Sequence, residues 1–248
     1  MSNNDLNIQA QQAFYNERWK DFAFADWMKL ERCAAILNAL HATGVLKPRI
    51  IEIGCGQGWL TAILGSFGPA QGVDLSAQAI ADASKRYSHV QFTQANLGNW
   101  AVPQKRFDVV VSHEVVEHVE DQDLHLRTAY ELLDDGGYLI LTTPNLTAFN
   151  AIAKADMASR EFQPIEKWIN ARTLRRMLES RGFEVKALTS LNLGDASQGI
   201  FRVVNSAKLG KVLGWLGLKQ GFDRTCRQLG FGLHILAVAQ KPSQSTKH

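Results

Sequence analysis

The stretch RIIEIGCGQGWL, residues 49–60, passes within a few positions from a β-branched run to a glycine loop and then to the start of a helical segment. Short β-branched runs bounded by glycine are typical of buried strands. Glycines at positions 54, 56 and 58 let the backbone turn sharply and approach a ligand without a side-chain clash. The stretch therefore predicts a strand, a loop and a helix, with the loop either binding a ligand or serving only as a tight turn.

The spacing of these glycines differs from that of the dinucleotide-binding fingerprint. The loop reads G-x-G-x-G, whereas the fingerprint is G-x-G-x-x-G. Two polar residues that follow later strands favour a binding site at this loop. Asp74 ends the second predicted strand, where a carboxylate can accept hydrogen bonds from both hydroxyls of a ribose. Asn96 follows the third strand, where its side-chain carbonyl could accept from an adenine amine, so three strand ends predict one nucleoside-binding crevice.

Strands and helices alternate along most of the chain after Arg49. This alternation predicts an α/β fold with a doubly wound, mostly parallel seven-stranded sheet. The closing strands, FEVKALTSL and LHILAVAQ, have no helix clearly assigned between them, so we expect an antiparallel last strand. Residues 1–45 are predicted to form an N-terminal helical extension that covers a cofactor. Residues 46–242 would be the main domain, with residues 198–230 as a C-terminal, substrate-side insert.

Composition limits the class of protein. The 248 residues are 46% hydrophobic and 21% charged, as in ordinary globular proteins. Three cysteines without C-x-x-C spacing argue against a disulfide framework and a cysteine zinc site. A net charge of +3 gives no reason to expect DNA binding. The chain has no apolar run of the roughly 18 residues that a membrane helix needs, and we expect a cytoplasmic protein whose oligomeric state the sequence leaves open.

Several segments, in this order, resemble those of the class I S-adenosylmethionine-dependent methyltransferases. They are EIGCGQG, GVDLS, the Ala95-Asn96-Leu97 turn, FDVVVSHEVVEHVED, LLDDGGYLILTTPN and RTLRRMLESRGFEV, and they cover about residues 49–187. The resemblance implies a Rossmann-like methyltransferase fold with S-adenosylmethionine as cofactor and S-adenosylhomocysteine as product. One departure is Asn96, because an aspartate is commoner at that turn.

The same resemblance implies roles for individual residues. The glycine loop would pass the methionine moiety, Asp74 would hold the ribose, and Leu75 and Leu97 would enclose the adenine. His113, at the end of the fourth strand, would lie against the cofactor, with a surface turn as the alternative. The predicted cofactor-binding residues are Glu52, Gly54, Cys55, Gly56, Gly58, Asp74, Leu75, Asn96, Leu97 and His113.

The stretch SHEVVEHVED, residues 112–121, nearly contains the H-E-x-x-H motif of zinc proteases. His113 and His118 are five positions apart, which is about 140° around a helix, so they cannot face one metal ion. Glu114, Glu117 and His118 would instead share a face if the segment were helical.

The E-x-x-E-H pattern in this stretch resembles that of ubiquinone-pathway O-methyltransferases and small-RNA 2′-O-methyltransferases, where it accompanies a divalent ion. The later histidine of the RNA enzymes is absent from EFQPIEKWINARTL. Three interpretations stay open: a divalent metal site, a base or substrate contact, and a polar turn. We predict catalytic roles for His118 as general base and Glu117 as its orienting partner, without a metal ion.

Other side chains have predicted positions. Trp19 and Trp27 are expected in the core, with covering the cofactor as the alternative, and Arg32 could bind the cofactor carboxylate. Cys55 is expected to be a small packing residue, and His125 to be exposed on a helix without a role.

The insert carries a concentration of positive charge. Residues 202–227 contain six basic residues and one acidic residue, interleaved with apolar ones. This composition fits a basic amphipathic helix that contacts a membrane or an acyl-chain substrate. It also fits a lid over the active site with solvated lysines.

The leading prediction is a methyltransferase that methylates a small-molecule acceptor, with an oxygen as the expected nucleophile. The alternatives are methylation of RNA or of a lipid-linked acceptor, a nicotinamide-dependent oxidoreductase, and a non-catalytic module that binds the cofactor.

Overall fold

The computed structural model describes residues 3–19, 26–96, 100, 106–152, 163–194, 196 and 198–243, with backbone only for residues 3–7. Its centre is a seven-stranded sheet with the order β3-β2-β1-β4-β5-β7-β6. The strands are β1 Ile50–Ile53, β2 Ala70–Asp74, β3 Gln91–Gln94, β4 Phe107–His113, β5 Leu133–Pro144, β6 Glu184–Leu191 and β7 His234–Gln240. The first five pair in parallel, and β7 runs antiparallel to both β5 and β6. The predicted fold class is confirmed.

Helices cover both faces of the sheet. Several of them begin where a side chain accepts a hydrogen bond from a free backbone N–H of the first turn, as Asp26, Ser76, Asp121 and Asn170 do. The described helices are α1 Asn3–Arg18, α2 Trp27–Ala42, α3 Trp59–Leu64, α4 Ala77–Arg86, α5 Gln122–Leu132, α6 Leu146–Phe149, α7 Ala171–Ser180, α8 Gly199–Val204, α9 Ala207–Trp215 and α10 Lys219–Gln228. None of them is both long and apolar enough to cross a bilayer.

The core forms two layers because side chains alternate across the central strands. Ile51 and Ile53 of β1 point into the layer shared with α5 and α7. Ile50 points to the opposite face, where α2 and α3 contribute Ile36 and Leu60. Strands buried on both faces explain the continuous apolar runs of the sequence.

The order of the strands creates a crevice. The chain leaves β1 for β2 on one side and later returns to place β4 on the other side. The loops that follow β1, β2 and β4 therefore diverge at the carboxyl ends of these strands and leave a crevice between them. Doubly wound sheets bind their ligands in such a crevice.

Between β6 and β7, the segment that we call the insert contains α8, α9 and α10. Phe201 of α8 is buried in a third apolar cluster with Phe149 and Leu233, and Cys226 of α10 is also buried. The helix α9 has no buried residue. The insert is therefore attached to the domain through its two ends.

Two side-chain predictions are wrong. His125 is only 2% exposed, because it shares the inner face of α5 with Ala129 and Leu132 at i+4 and i+7. Trp27 is 55% exposed. It stands nine positions before Ile36, about half a turn from the buried face of α2.

Candidate functional site

A cavity of about 1090 Å³ opens at the carboxyl ends of β1, β2 and β4. Most of the predicted site residues line it: Glu52, Gly54, Cys55, Gly56, Asp74, Leu75, Asn96, His113, Glu117 and His118. Gly58 is not among the lining residues, and Leu97 lies outside the described residues. The structure thus brings together residues that are up to 66 positions apart in the chain, from Glu52 to His118.

Asp74 fixes the glycine loop through backbone hydrogen bonds. Its Oδ2 accepts from the N–H of Gly56 and its Oδ1 from the N–H of Ser76, both at 2.8 Å. Burial raises the pKa of Asp74, and these backbone donors oppose the rise. The carboxylate retains lone pairs toward the cavity, so it can accept further bonds from a ligand hydroxyl.

The glycines are required by their surroundings. A Cβ atom on Gly54, whose φ is +75°, would lie 2.3 Å from Cγ2 of Val115. A Cβ atom on Gly58 would lie 2.5 Å from the ring of Phe92, although Gly58 does not line the cavity. Gly54 therefore lets the β1 loop approach the β4 loop, and Gly58 lets α3 start against β3.

Glu52 is a buried carboxyl group at the cavity wall, only 2% exposed. Burial raises its pKa to about 8, although the hydroxyl of Thr61 donates a hydrogen bond that opposes the rise. At neutral pH this side chain is therefore predominantly protonated without a ligand. A cation placed beside it would favour the charged form.

Cys55 is buried, and its Sγ would lie 2.7 Å from a Cβ on Gly72. Burial raises the pKa of its thiol well above the usual value. A thiol that stays protonated is a poor nucleophile, so this position agrees with a packing role.

Residues of α1, and Trp19 directly after it, line the cavity and contact three of its loops. The indole of Trp19 lies over Gly56, and its backbone carbonyl accepts a hydrogen bond from Gln57 at 3.2 Å. Gln11 donates to the carbonyl of His118 at 2.8 Å, and Gln12 donates to that of Leu75 at 3.3 Å. These contacts support a covering role for the N-terminal extension, which stays a prediction.

His118 is held by partners on both ring nitrogens. Its Nδ1 lies 2.8 Å from the carbonyl oxygen of Ile165, which can only accept, so Nδ1 carries the proton. Its Nε2 then accepts from the amide of Gln163 at 2.8 Å. The Gln163 oxygen accepts in turn from the hydroxyl of Tyr15 at 2.8 Å. The lone pair that a general base needs is therefore at Nε2, on the cavity wall.

Glu117 lies beside that nitrogen. The carboxyl group is 1% exposed, and its Oε1 lies 3.6 Å from Nε2 of His118 without a hydrogen-bond partner among the described residues. Its Oε2 accepts from Thr143 at 3.0 Å. Burial and the nearby Glu114 raise the pKa of Glu117 well above its usual value. Glu117 thus stands next to Nε2 of His118, while the carbonyl oxygen of Ile165 orients the ring through Nδ1.

A second buried cluster surrounds His113. Arg32 donates from Nε to Nε2 of His113 at 3.3 Å, and its guanidinium also lies 3.3 Å from Nε2 of His234. Burial lowers the pKa of His113 to about 4. The pKa of Glu114 lies well below its usual value. Burial alone would raise it, but the neighbouring His234 and Arg32 lower it by more. The cluster therefore keeps a charged carboxylate and a guanidinium at the cavity wall.

The segment after β4 is not an α-helix. Glu114 has a φ of +57°, and only Val116–His118 forms a single 3-10 turn. Consequently Glu114 contacts His234 at 3.2 Å, whereas Glu117 bonds to Thr143. The common face that a helical segment would have given Glu114, Glu117 and His118 does not form. Within the described part of the chain, no group of three or more His, Cys, Asp or Glu side chains is placed to hold a metal ion.

Sequence reasoning missed several residues of the site. Tyr15, Gln163 and His234 reach it from distant segments. Their spacing in the chain carried no signal, because each comes from a segment far along the chain from its partner in the site. The burial of His125 could have been read from its helical spacing, and its Nε2 lies 3.0 Å from the hydroxyl of Ser112.

Comparison with known proteins identifies the domain. Residues 24–188 match a family model described as a methyltransferase domain. A probable S-adenosylmethionine-dependent methyltransferase of Mycolicibacterium smegmatis is 30% identical over 138 residues, which cover 55% of this chain and 52% of the relative. The chain thus spans about half the length of the first curated relatives it matches.

Two further proteins are similar over longer stretches. The ubiquinone biosynthesis O-methyltransferase of Azorhizobium caulinodans is 34% identical over 169 residues, covering 61% of this chain and 66% of that protein. The crystal structure of the N-methyltransferase NodS from Bradyrhizobium japonicum, in complex with S-adenosylhomocysteine, superposes with a TM-score of 0.60 at 16% identity. It covers 98% of this chain and 100% of that structure, and at this identity the likeness shows the fold.

Replacement of Gly54 by alanine is expected to abolish binding of S-adenosylmethionine. The new Cβ would collide with Val115 and displace the loop. Isothermal titration with S-adenosylmethionine would measure the loss of affinity. Gly44→Ala is the matched control, because Gly44 has a similar φ of +71° but open space around it. Equal loss of affinity in both variants would contradict the proposed role of the close contact.

The replacement Glu52→Gln tests the pKa of Glu52. Because the folded pKa of about 8 exceeds the usual 4.5, the folded protein holds a proton that the unfolded chain releases between these pH values. Glu52 should therefore make the wild type less stable as pH rises from 5 to 8, by up to about 1.4 kcal/mol per pH unit. Urea unfolding should show a shallower decline in Glu52→Gln, and parallel curves for the two proteins would disprove the shift.

Proposed function

The chain belongs to the methyltransferase family, and on that premise we propose that it transfers the methyl group of S-adenosylmethionine to an oxygen of a small-molecule acceptor. The single observation that carries the choice of oxygen is the fixed Nε2 of His118 on the cavity wall, with Glu117 beside it. A hydroxyl group must lose a proton as it is methylated, and this nitrogen is placed to accept one.

The cofactor half of the site fits the chemistry of S-adenosylmethionine. Asp74 offers carboxylate lone pairs for ribose hydroxyls, and the Cβ-free surface of Gly54 leaves room for the methionine chain. The methionine part of the cofactor ends in an ammonium group and a carboxylate. Glu52 could bind the ammonium group, and the guanidinium of Arg32 could bind the carboxylate. When bound, the cofactor supplies an activated methyl group on a sulfonium, so the protein mainly has to align the acceptor.

The acceptor half of the site lies around His118. As the acceptor oxygen is methylated, Nε2 of His118 would take up its O–H proton, while the bound cofactor would supply the methyl group and keep the electron pair of the broken C–S bond on its sulfur. The acceptor hydroxyl would take the place of the Gln163 amide at Nε2. Glu117, whose Oε1 lies 3.6 Å from that nitrogen without a hydrogen-bond partner among the described residues, would stabilise the resulting imidazolium in its ionised form, which the new positive charge favours.

The relatives support a small acceptor with an oxygen nucleophile. Ubiquinone biosynthesis O-methyltransferases from several organisms match more than half of the chain. The family match also favours methyl transfer over the nicotinamide-dependent alternative.

The proposal is tested by measuring cofactor binding and the formation of S-adenosylhomocysteine. The protein should bind S-adenosylmethionine saturably and not NAD, and should form S-adenosylhomocysteine with at least one hydroxyl compound from a panel of phenols, hydroxy acids and sugars. RNA and amines serve as competing acceptor classes. Turnover with amines or RNA alone would overturn the choice of oxygen, and saturable binding of NAD alone would overturn the methyltransferase assignment.

With such an acceptor, His118→Ala is expected to lower kcat by about 10²-fold to 10⁴-fold, the usual contribution of a general base. Affinity for S-adenosylmethionine should stay unchanged, as measured by titration. His41→Ala is the matched control, because His41 is an exposed histidine at the end of α2. An unchanged kcat in His118→Ala would rule out the base.

A further inference from the structure

The helix α9 and the turn after it carry apolar side chains that nothing in the described part of the chain covers. Trp215 is 86% exposed, and Val212, Leu216 and Leu218 are each more than half exposed. A tryptophan this exposed on an ordered helix is unusual, since large aromatic residues are mostly buried. A contiguous apolar patch on a surface marks an interaction site.

The exposed residues of α9 form one stripe. Lys208, Lys211, Val212 and Trp215 stand at i, i+3, i+4 and i+7, so they lie within about 100° of arc around the helix. Leu209 and Leu213, which are partly buried, lie on the other side, and α9 packs chiefly against α10. The stripe therefore combines two apolar side chains with two lysines on the outward face, and Leu216 and Leu218 extend it at the tip.

The charge around this stripe is positive and largely unpaired. Lys219 pairs with Asp223 at 2.5 Å, and Arg227 pairs with Glu31 at 2.8 Å. The side chains of Lys208, Lys211 and Arg224 make no hydrogen bond or ion pair with any described residue. Lysine and arginine side chains without an ion-pair partner, next to exposed apolar side chains, complement a surface with anionic groups on the outside and apolar groups beneath them.

We propose that α9 and the Leu216–Leu218 turn dock on an anionic lipid surface, with Trp215, Leu216 and Leu218 entering the interface and Lys208 and Lys211 contacting phosphate headgroups. Tryptophan is favoured at membrane interfaces because its ring is amphipathic. Lysine can bury its alkyl stem while its ammonium group stays at headgroup level. The combination matches an interfacial amphipathic helix that lies in the surface without spanning it.

A second copy of the chain fits this surface less well. In a twofold contact, the stripe would face itself and gather Lys208 and Lys211 of both copies at one interface, where their like charges repel. The patch also projects as a helix and its tip, because α9 has no buried residue. An interface of lipid molecules can adapt to such a projection.

The surface is tied to the rest of the domain through the third apolar cluster. Phe201 of α8 packs there with Phe149 and Leu233. Phe149 also lines the cavity. Docking of the insert would therefore hold the domain at the lipid surface through an element that adjoins the site, and this inference is independent of the acceptor.

The test is sedimentation of the full chain with vesicles. Vesicles that mix phosphatidylglycerol with phosphatidylcholine should bind the protein, and vesicles of phosphatidylcholine alone should bind it at least about tenfold more weakly. Binding should weaken as ionic strength rises, because salt screens the lysines.

Two double variants separate the apolar and charged contributions. Trp215→Ser with Leu218→Ser, and Lys208→Glu with Lys211→Glu, should each lower vesicle binding at least about tenfold. Leu46→Ser and Lys85→Glu are the controls, because Leu46 is 91% exposed and Lys85 is an exposed lysine on α4. All variants should bind S-adenosylmethionine with wild-type affinity, which shows that the domain is folded and keeps this test separate from that of the proposed function.

Several results would overturn the proposal. They are equal binding to both kinds of vesicle, vesicle binding that survives both double variants, and no vesicle binding at all. Self-association that depends on Trp215 in sedimentation velocity, without vesicle binding, would assign the surface to a second copy.

Discussion

The close packing of the glycine loop against the segments around it is the constraint on which the site depends. Gly54 must lack a side chain because Val115 of the β4 loop occupies that space, and Gly58 must lack one because Phe92 does. The Asp74 carboxylate then ties the backbone of Gly56 to the start of α4. These contacts join the loops after β1, β2 and β4, and the cavity lies between them.

The cavity places acidic groups in environments that shift their pKa in opposite directions. Glu114 is kept charged by His234 and Arg32, whereas Glu117, buried beside it, has a strongly raised pKa. Two carboxyl groups whose pKa values are moved apart can serve different purposes in one site. Glu114 supports the electrostatics around His113, and Glu117 remains available next to His118.

The N-terminal helix contacts the segment around His118, and Trp19 directly after it contacts the glycine loop. Tyr15 holds Gln163, and Gln163 holds Nε2 of His118. The same helix places Trp19 over the glycine loop. Residues of α1 and the adjoining Trp19 thus contact both the segment around His118 and the glycine loop.

The sequence by itself determined the sheet, its antiparallel last strand, the glycine loop and the strand-end residues Asp74 and His113. Each of these follows from local pattern, because strand periodicity and glycine spacing depend on neighbours in the chain. Only the tertiary structure decided the surroundings of Glu114, Glu117 and His118. Their partners, such as Gln163 and His234, come from distant segments. The left-handed backbone at Glu114 also breaks the helical periodicity on which the predicted common face rested, and long-range packing of this kind leaves no trace in residue spacing.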